Sequence, residues 1–142
     1  CIYPLALAFT IVLAATPAFA QQSGNLRVEF QGPGGHSSGA YGRVSALHAA
    51  ARAVILMQKA LPAGSFQITN LTGGNSVNSI ASDGLIELKL NATSAAAYKE
   101  LVAAVTKAAA DGAAAENAFR GVKTGDLTAG APATIRSKVT PY

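Results

Sequence analysis

The chain has 142 residues, half of them apolar and only 13% charged, with a formal net charge of +4. That length holds one ordinary domain, and that apolar content excludes a chain disordered throughout. The Lys and Arg residues are scattered without a run, so the basic footprint of a nucleic-acid binder is missing.

Residues 1–20 differ from everything after them. "IYPLALAFTIVLAATPAFA" carries no charge and ends in Ala18-Phe19-Ala20, before a polar Gln21-Gln22. Small residues at Ala-x-Ala positions are what a signal peptidase accepts, so the segment reads as a signal peptide. The basic segment and initiator Met that usually open such a leader are missing, and its first residues are read as lying outside this sequence. An uncleaved membrane anchor is the rival reading, because nearly twenty apolar residues just reach across a bilayer. Both readings put the rest of the chain outside the cytoplasm, secreted or periplasmic. Cys1 is the single cysteine, which leaves no internal disulfide and no Cys-based zinc site.

After a short linker, 21–24, the chain reads as one domain over 25–135 with a tail at 136–142. "NLRVEFQ" alternates, with Leu26, Val28 and Phe30 on one face of a strand and Arg27, Glu29 and Gln31 on the other. The glycine-rich loop "GPGGHSSGAYGR" follows. "RVSALHAAARAVILMQKALP" has helical spacing: Leu47, Ala50, Val54, Met57 and Leu61 share one face. Ser45, His48, Arg52 and Lys59 form a polar stripe, and Pro62 and Gly64 stop the helix. "SFQITNL" is a second strand with Phe66 and Ile68 on one face, and "TGGNSVNS" is its loop. "GLIELKLNA" is a third strand with Ile86, Leu88 and Leu90 inward. Thr93 or Ser94 caps a second helix, whose stripe is Tyr98, Leu101 or Val102, Val105 and Ala109. Gly112 is a plausible stop; residues 113–124 either extend the helix or fray. A short last strand falls within 125–139. Strand, helix, strand, strand, helix, strand is the ferredoxin-like βαββαβ plan. It is an α+β fold with one antiparallel sheet and two helices on one face, here preceded by a signal peptide.

The chemistry-bearing residues are few. A metal site needs converging His, Asp or Glu side chains, yet the two histidines, His36 and His48, form no ligand pattern with the scattered acids. His48 reads as a solvated helix-face residue. There is no GxSxG elbow and no GxGxxG fingerprint. Two loops remain. The first presents His36 beside Gly34 and Gly35; the second presents Asn75, Ser76 and Asn78. An imidazole can donate to a developing oxyanion, and a carboxamide can grip an amide or acid. By the residues alone, the plainer reading, a loop histidine and a turn-forming asparagine, is slightly favoured.

"GPGGHSSGAYGRVSALHAAARAV" followed by "TGGNSVNSIASDGLIELKL" resembles the lid, or dimerisation, domain of the co-catalytic zinc metallopeptidases that include aminoacylases, carnosinases, glutamate carboxypeptidases and desuccinylases. The likeness runs from about Asn25 to about Ala118. It implies a βαββαβ insertion in a larger zinc enzyme. It implies that His36 reaches across a dimer to the scissile carbonyl and oxyanion. Asn78 would then hold the substrate's backbone or carboxylate, and Gly35 and Gly74 would let the loops turn and approach closely. The partners implied are a second copy of the chain or a catalytic metallopeptidase domain, and the substrate a peptide or N-acyl amino acid. Three departures stand out. Ile80 is followed by Ala81 rather than Pro, and the third strand reads Lys89-Leu90-Asn91 where the family often has Asp-x-Arg. The metal-ligand motifs and catalytic glutamate are not among these residues, so the expectation is no cofactor in this chain, zinc in the catalytic domain, and no turnover by the chain alone. The alternative is a free-standing exported module that pairs and binds small acids or peptides without turnover.

Overall fold

A computed structural model describes residues 21–142; the expected leader or anchor, 1–20, lies outside them. In chain order the elements are β1 (Gln22–Gln31), β2 (Gly35–His36), α1 (Ala46–Ala60), β3 (Phe66–Gly73), β4 (Ser79–Ile80), β5 (Asp83–Ala92), α2 (Ala95–Arg120), β6 (Leu127–Thr128), β7 (Ala131–Pro132) and β8 (Arg136–Pro141). Four strands form one sheet in the order β3-β5-β1-β8, with every pairing antiparallel. β2 pairs with β4, and β6 with β7, as two short ladders outside it.

The alternation in the strands decides which face the helices cover. Leu26, Val28 and Phe30 on β1 and Ile86, Leu88 and Leu90 on β5 are fully or almost fully buried. They are in register, Leu26 opposite Leu88 and Val28 opposite Ile86, and they share one core with Met57, Leu101 and Val105 from the helices. Each such side chain contributes about 1.5–3 kcal/mol by leaving water. The opposite face is open and polar. There Arg27 donates to Glu87 at 2.9 Å, Asn70 donates to Glu87 at 3.3 Å, and Arg27 stacks 4.8 Å from the centre of the Tyr142 ring. A bulge between Ile68 and Asn70 turns Asn70 to this face, opposite Glu87.

The helices depart from their expected faces. Ala50, Met57 and Leu61 are buried as expected, but Leu47 and Val54 are only half-buried, and Ala46, Ala49 and Ala53 take their place. The reason is the crossing with α2. Gly112 does not stop that helix; it lies in its interior, where a Cβ would come 2.8 Å from the Ala53 Cβ and 2.9 Å from the Ala49 carbonyl. Small residues face each other so that the helices approach closely. α2 ends instead at Gly121, whose φ of 72° lets its N–H return to the carbonyls of Asn117 and Ala118. Ser94 is the N-cap of α2, and Ser45, placed in the polar stripe, is the buried N-cap of α1.

Both ends of the domain reach further than the sequence suggested. Gln22–Gly24, read as linker, extend β1 along Leu90–Ala92 of β5. Residues 136–141, read as tail, are the edge strand β8, which runs from Gln31 to Leu26 along β1. Ile135 anchors it. Its side chain is buried, and both its N–H and its carbonyl bond the Asn117 carboxamide, at 2.7 and 3.1 Å.

Candidate functional site

The two glycine-rich loops lie 42 residues apart in sequence at His36 and Asn78, yet they are sewn together beyond the Gln31–Asp83 end of the sheet. Gly35 pairs with Ile80 and His36 with Ser79, and the Ser37 N–H reaches the Asn78 carbonyl at 3.0 Å. The chain then doubles back, with the Ala40 N–H on the His36 carbonyl at 2.8 Å. Gly35 makes this possible. Its φ is 144°, and a Cβ there would lie 2.6 Å from the Ala40 Cβ. Gly74 turns the second loop out of β3 at a φ of 75°.

The geometry holds the histidine ring in one orientation. The Ser38 N–H donates to His36 Nδ1 at 3.2 Å, and the Ser38 hydroxyl lies 2.7 Å from the same atom. With Nδ1 accepting, the proton of the neutral ring belongs on Nε2. Nε2 in turn lies 3.4 Å from Asn78 Nδ2. The Asn78 carboxamide is oriented from its other side, because its oxygen accepts from the Ser76 hydroxyl. The outcome is two N–H donors side by side on exposed residues. Adjacent donors lack an acceptor between them, and one oxygen, above all a negatively charged one, would bond both.

His36 and Asn78 are therefore brought together, with Gly35 and Gly74 in the turns that carry them. Ser38 and Ser76, which hold ring and amide, belong to the site as positioning residues. Beside the pair opens a cleft of about 680 Å³, lined among others by Ser76, Arg43, His48 and Arg120. Under its wall sits Glu116, with no exposed surface. Glu116 accepts from the Ser45 N–H at 3.1 Å, from Arg52 Nε at 3.0 Å and from Arg120 Nε at 3.2 Å. Burial pushes its carboxyl up, but the Ser45 amide and the guanidinium groups of Arg52 and Arg120 outweigh that and leave its pKa below the ordinary 4.5. His48 is half-exposed rather than isolated, with Nδ1 3.5 Å from Arg120 and 3.8 Å from Glu116. Glu116 was missed although a signal existed. Val105, Ala109, Gly112 and Glu116 continue one helical stripe, and an acid on an apolar stripe marks a buried, paired carboxylate. Among the described residues no three His, Cys, Asp or Glu side chains converge as metal ligands, and no helix is long and apolar enough to cross a membrane.

Comparison with known proteins bears on the family and the fold. A family model described as "Peptidase dimerisation domain" matches residues 21–117. No curated protein matches the sequence. Among solved structures, the aminobenzoyl-glutamate utilization protein of Klebsiella pneumoniae is similar with a TM-score of 0.65 at 17% identity, over 89% of this chain and 31% of that one. An amidase of the hydantoinase/carbamoylase family from Burkholderia multivorans has a TM-score of 0.64 at 18% identity, over 87% and 28%. A tripeptidase from Staphylococcus aureus has a TM-score of 0.59 at 17% identity, over 85% and 29%. At these identities the likeness is one of fold, and the chain spans less than a third of the length of each of the three.

Proposed function

The chain belongs to the peptidase dimerisation domain family, and on that premise we propose that it is the lid of an exported zinc-dependent peptidase or amidohydrolase. Its part in the reaction is to grip the substrate amide and to stabilise charge. As water attacks a peptide or N-acyl carbonyl, the carbonyl oxygen becomes an oxyanion. His36 donates its Nε2–H to that oxygen, and Asn78 donates its Nδ2–H to the same oxygen or to the adjoining substrate backbone or carboxylate. Gly35 and Gly74 keep the loops bare enough for the substrate to approach. A zinc ion, where bound, would supply activation of the attacking water; the described residues bring no three ligands together for it. Its ligands would belong to a catalytic domain.

The observation that carries this reading is the donor pair, His36 Nε2 and Asn78 Nδ2, 3.4 Å apart and exposed. Exposure suits a group that must reach a carbonyl held by another domain or subunit. The outer side of α1 supports pairing with a second copy. Leu47, Val54 and Ile55 fall on one side of that helix, and Ile55 is 52% exposed. Leu71, 42% exposed, continues the stripe onto the edge strand β3.

The test is His36→Ala in the enzyme that contains this chain together with its metal-binding domain. Loss of one oxyanion donor lowers kcat roughly a hundredfold to a thousandfold. A turnover number within a factor of two of the parent's would reject the role.

A further inference from the structure

The corner of the sheet farthest from the donor loops holds a feature that the lid role does not use. β1 opens at Gln22, which already pairs with Ala92, and the exposed Gln21 stands just ahead of that ladder. The bond before Gln21 is the one that the Ala18-Phe19-Ala20 ending marks for a signal peptidase. Gln21 also lines a cleft of about 470 Å³ together with Ser23, Asn91 and Thr93. Among the described residues that line this cleft there is no Asp, Glu, Lys or Arg. An α-ammonium placed there gains no ion pair. A neutral group with one N–H donor and one carbonyl acceptor matches the carboxamide of Asn91 and the hydroxyls of Ser23 and Thr93.

We infer that cleavage after Ala20 leaves Gln21 as the first residue, and that Gln21 then closes to a pyroglutamyl lactam seated beside Asn91 and Thr93. An α-amine titrates near neutrality, so part of it is the nucleophilic free base at pH 7. Its nitrogen attacks Cδ of the Gln21 carboxamide. The new N–Cδ bond closes a five-membered ring and the Cδ–Nε2 bond breaks. A proton passes from the α-nitrogen to the departing group, which leaves as ammonia. The step needs no oxidant, metal or co-reactant. It breaks no ladder hydrogen bond, because the pairing of β1 starts at Gln22. The lactam has no free α-amine for an aminopeptidase to hold, and it protects an exposed chain end, where proteolysis concentrates. β1 runs ten residues from this corner to the donor loops. At the rise of a strand that is about 30 Å, so the modification leaves His36 and Asn78 untouched.

The inference rests on the leader reading of residues 1–20 and is independent of the lid reading. The test expresses the full chain in an exporting bacterial host and weighs the exported protein intact, before any digestion. The expected mass is that of residues 21–142 less one ammonia, at harvest or after several days at body temperature and neutral pH. Edman degradation of that protein should give no sequence. After denaturation and treatment with a pyroglutamyl peptidase, Gln22 should read first. Gln21→Ser should be cut at the same bond, keep its amine and sequence directly. In ¹⁵N spectra recorded as the ring closes, the Asn91 and Thr93 amides should shift and those of His36 and Asn78 should stay. A Gln21 amine that stays open, a chain that begins at any other residue, Gln22 included, or retention of residues 1–20 would each overturn the modification. A closed ring that leaves Asn91 and Thr93 unmoved would overturn its seat. None of these readouts touches the lid role, which is read from His36→Ala turnover; if that role fails, the blocked end stands.

Discussion

Glu116 shows how one residue ties the two helices to the site. Its carboxylate accepts the Ser45 N–H at the start of α1 and pairs with Arg52 and Arg120, so the end of α2 and the start of α1 share one charge. Desolvation raises its pKa, yet the hydrogen bonds from Ser45, Arg52 and Arg120 win and the net shift is downward. A carboxylate with a depressed folded-state pKa adds stability that is complete above its ordinary value and is lost as pH falls through the lowered one. Thermal melts should therefore hold level from neutral pH to about pH 5 and decline below about pH 4.5. Glu116→Gln should cost roughly 1–3 kcal/mol at neutral pH and flatten that acid decline. An unchanged acid slope in the variant would show that other carboxylates carry it. His36 is the opposite kind of residue: it is exposed, and among the described residues its ring is held by Ser38 and faced by Asn78.

At the level of elements, the α1–α2 crossing controls how closely the helices sit on each other and on the sheet. Helix propensity and packing predict opposite signs for Gly112→Ala. A glycine in mid-helix is about 1 kcal/mol worse than alanine, so propensity alone predicts a gain. Packing predicts a loss, because the new methyl would stand 2.8 Å from both the Ala53 Cβ and its backbone nitrogen. Overpacking of this kind costs roughly 1–3 kcal/mol, and the neighbour is backbone that cannot swing aside. Urea denaturation of Gly112→Ala should give a net loss of stability; a gain would mean that the helices can separate freely. The same closeness explains why alanines rather than leucines fill α1's inner face.

For the whole molecule, the open question is what covers the surface that the single domain leaves bare. β3 is an edge strand, with backbone groups free along one side, and α1 beside it exposes Ile55. Side-by-side pairing of two copies would cover both. Ile55→Glu places a charge in the middle of that stripe and should shift the chain from dimer to monomer in sedimentation velocity at tens of micromolar, with the melting temperature nearly unchanged because the site is half-exposed. A parent chain that sediments only as monomer at high micromolar concentration would count against pairing through this face. The chain spans 31%, 28% and 29% of the length of the three solved structures it resembles.

Strand faces, the cap of α2 and the two glycine-rich loops were legible in the sequence because their causes are local. Alternation puts Leu26, Val28 and Phe30 on one side of a strand whatever lies next to it, Ser94 caps the helix it precedes, and Pro62 ends the helix before it. The pairing of His36 with Asn78 was carried by two glycine-rich motifs whose order resembles a known lid. Only the tertiary structure decided that Gly112 is a contact and not a stop, that the last strand starts at Arg136 and runs on to Pro141, and that Glu116 joins Ser45, 71 residues away. It also decided that Arg43, His48 and Arg120 share one cleft. Those outcomes depend on which distant surface each residue meets, and the free energy of such a contact belongs to the pair of surfaces, so neither stretch of sequence states it alone.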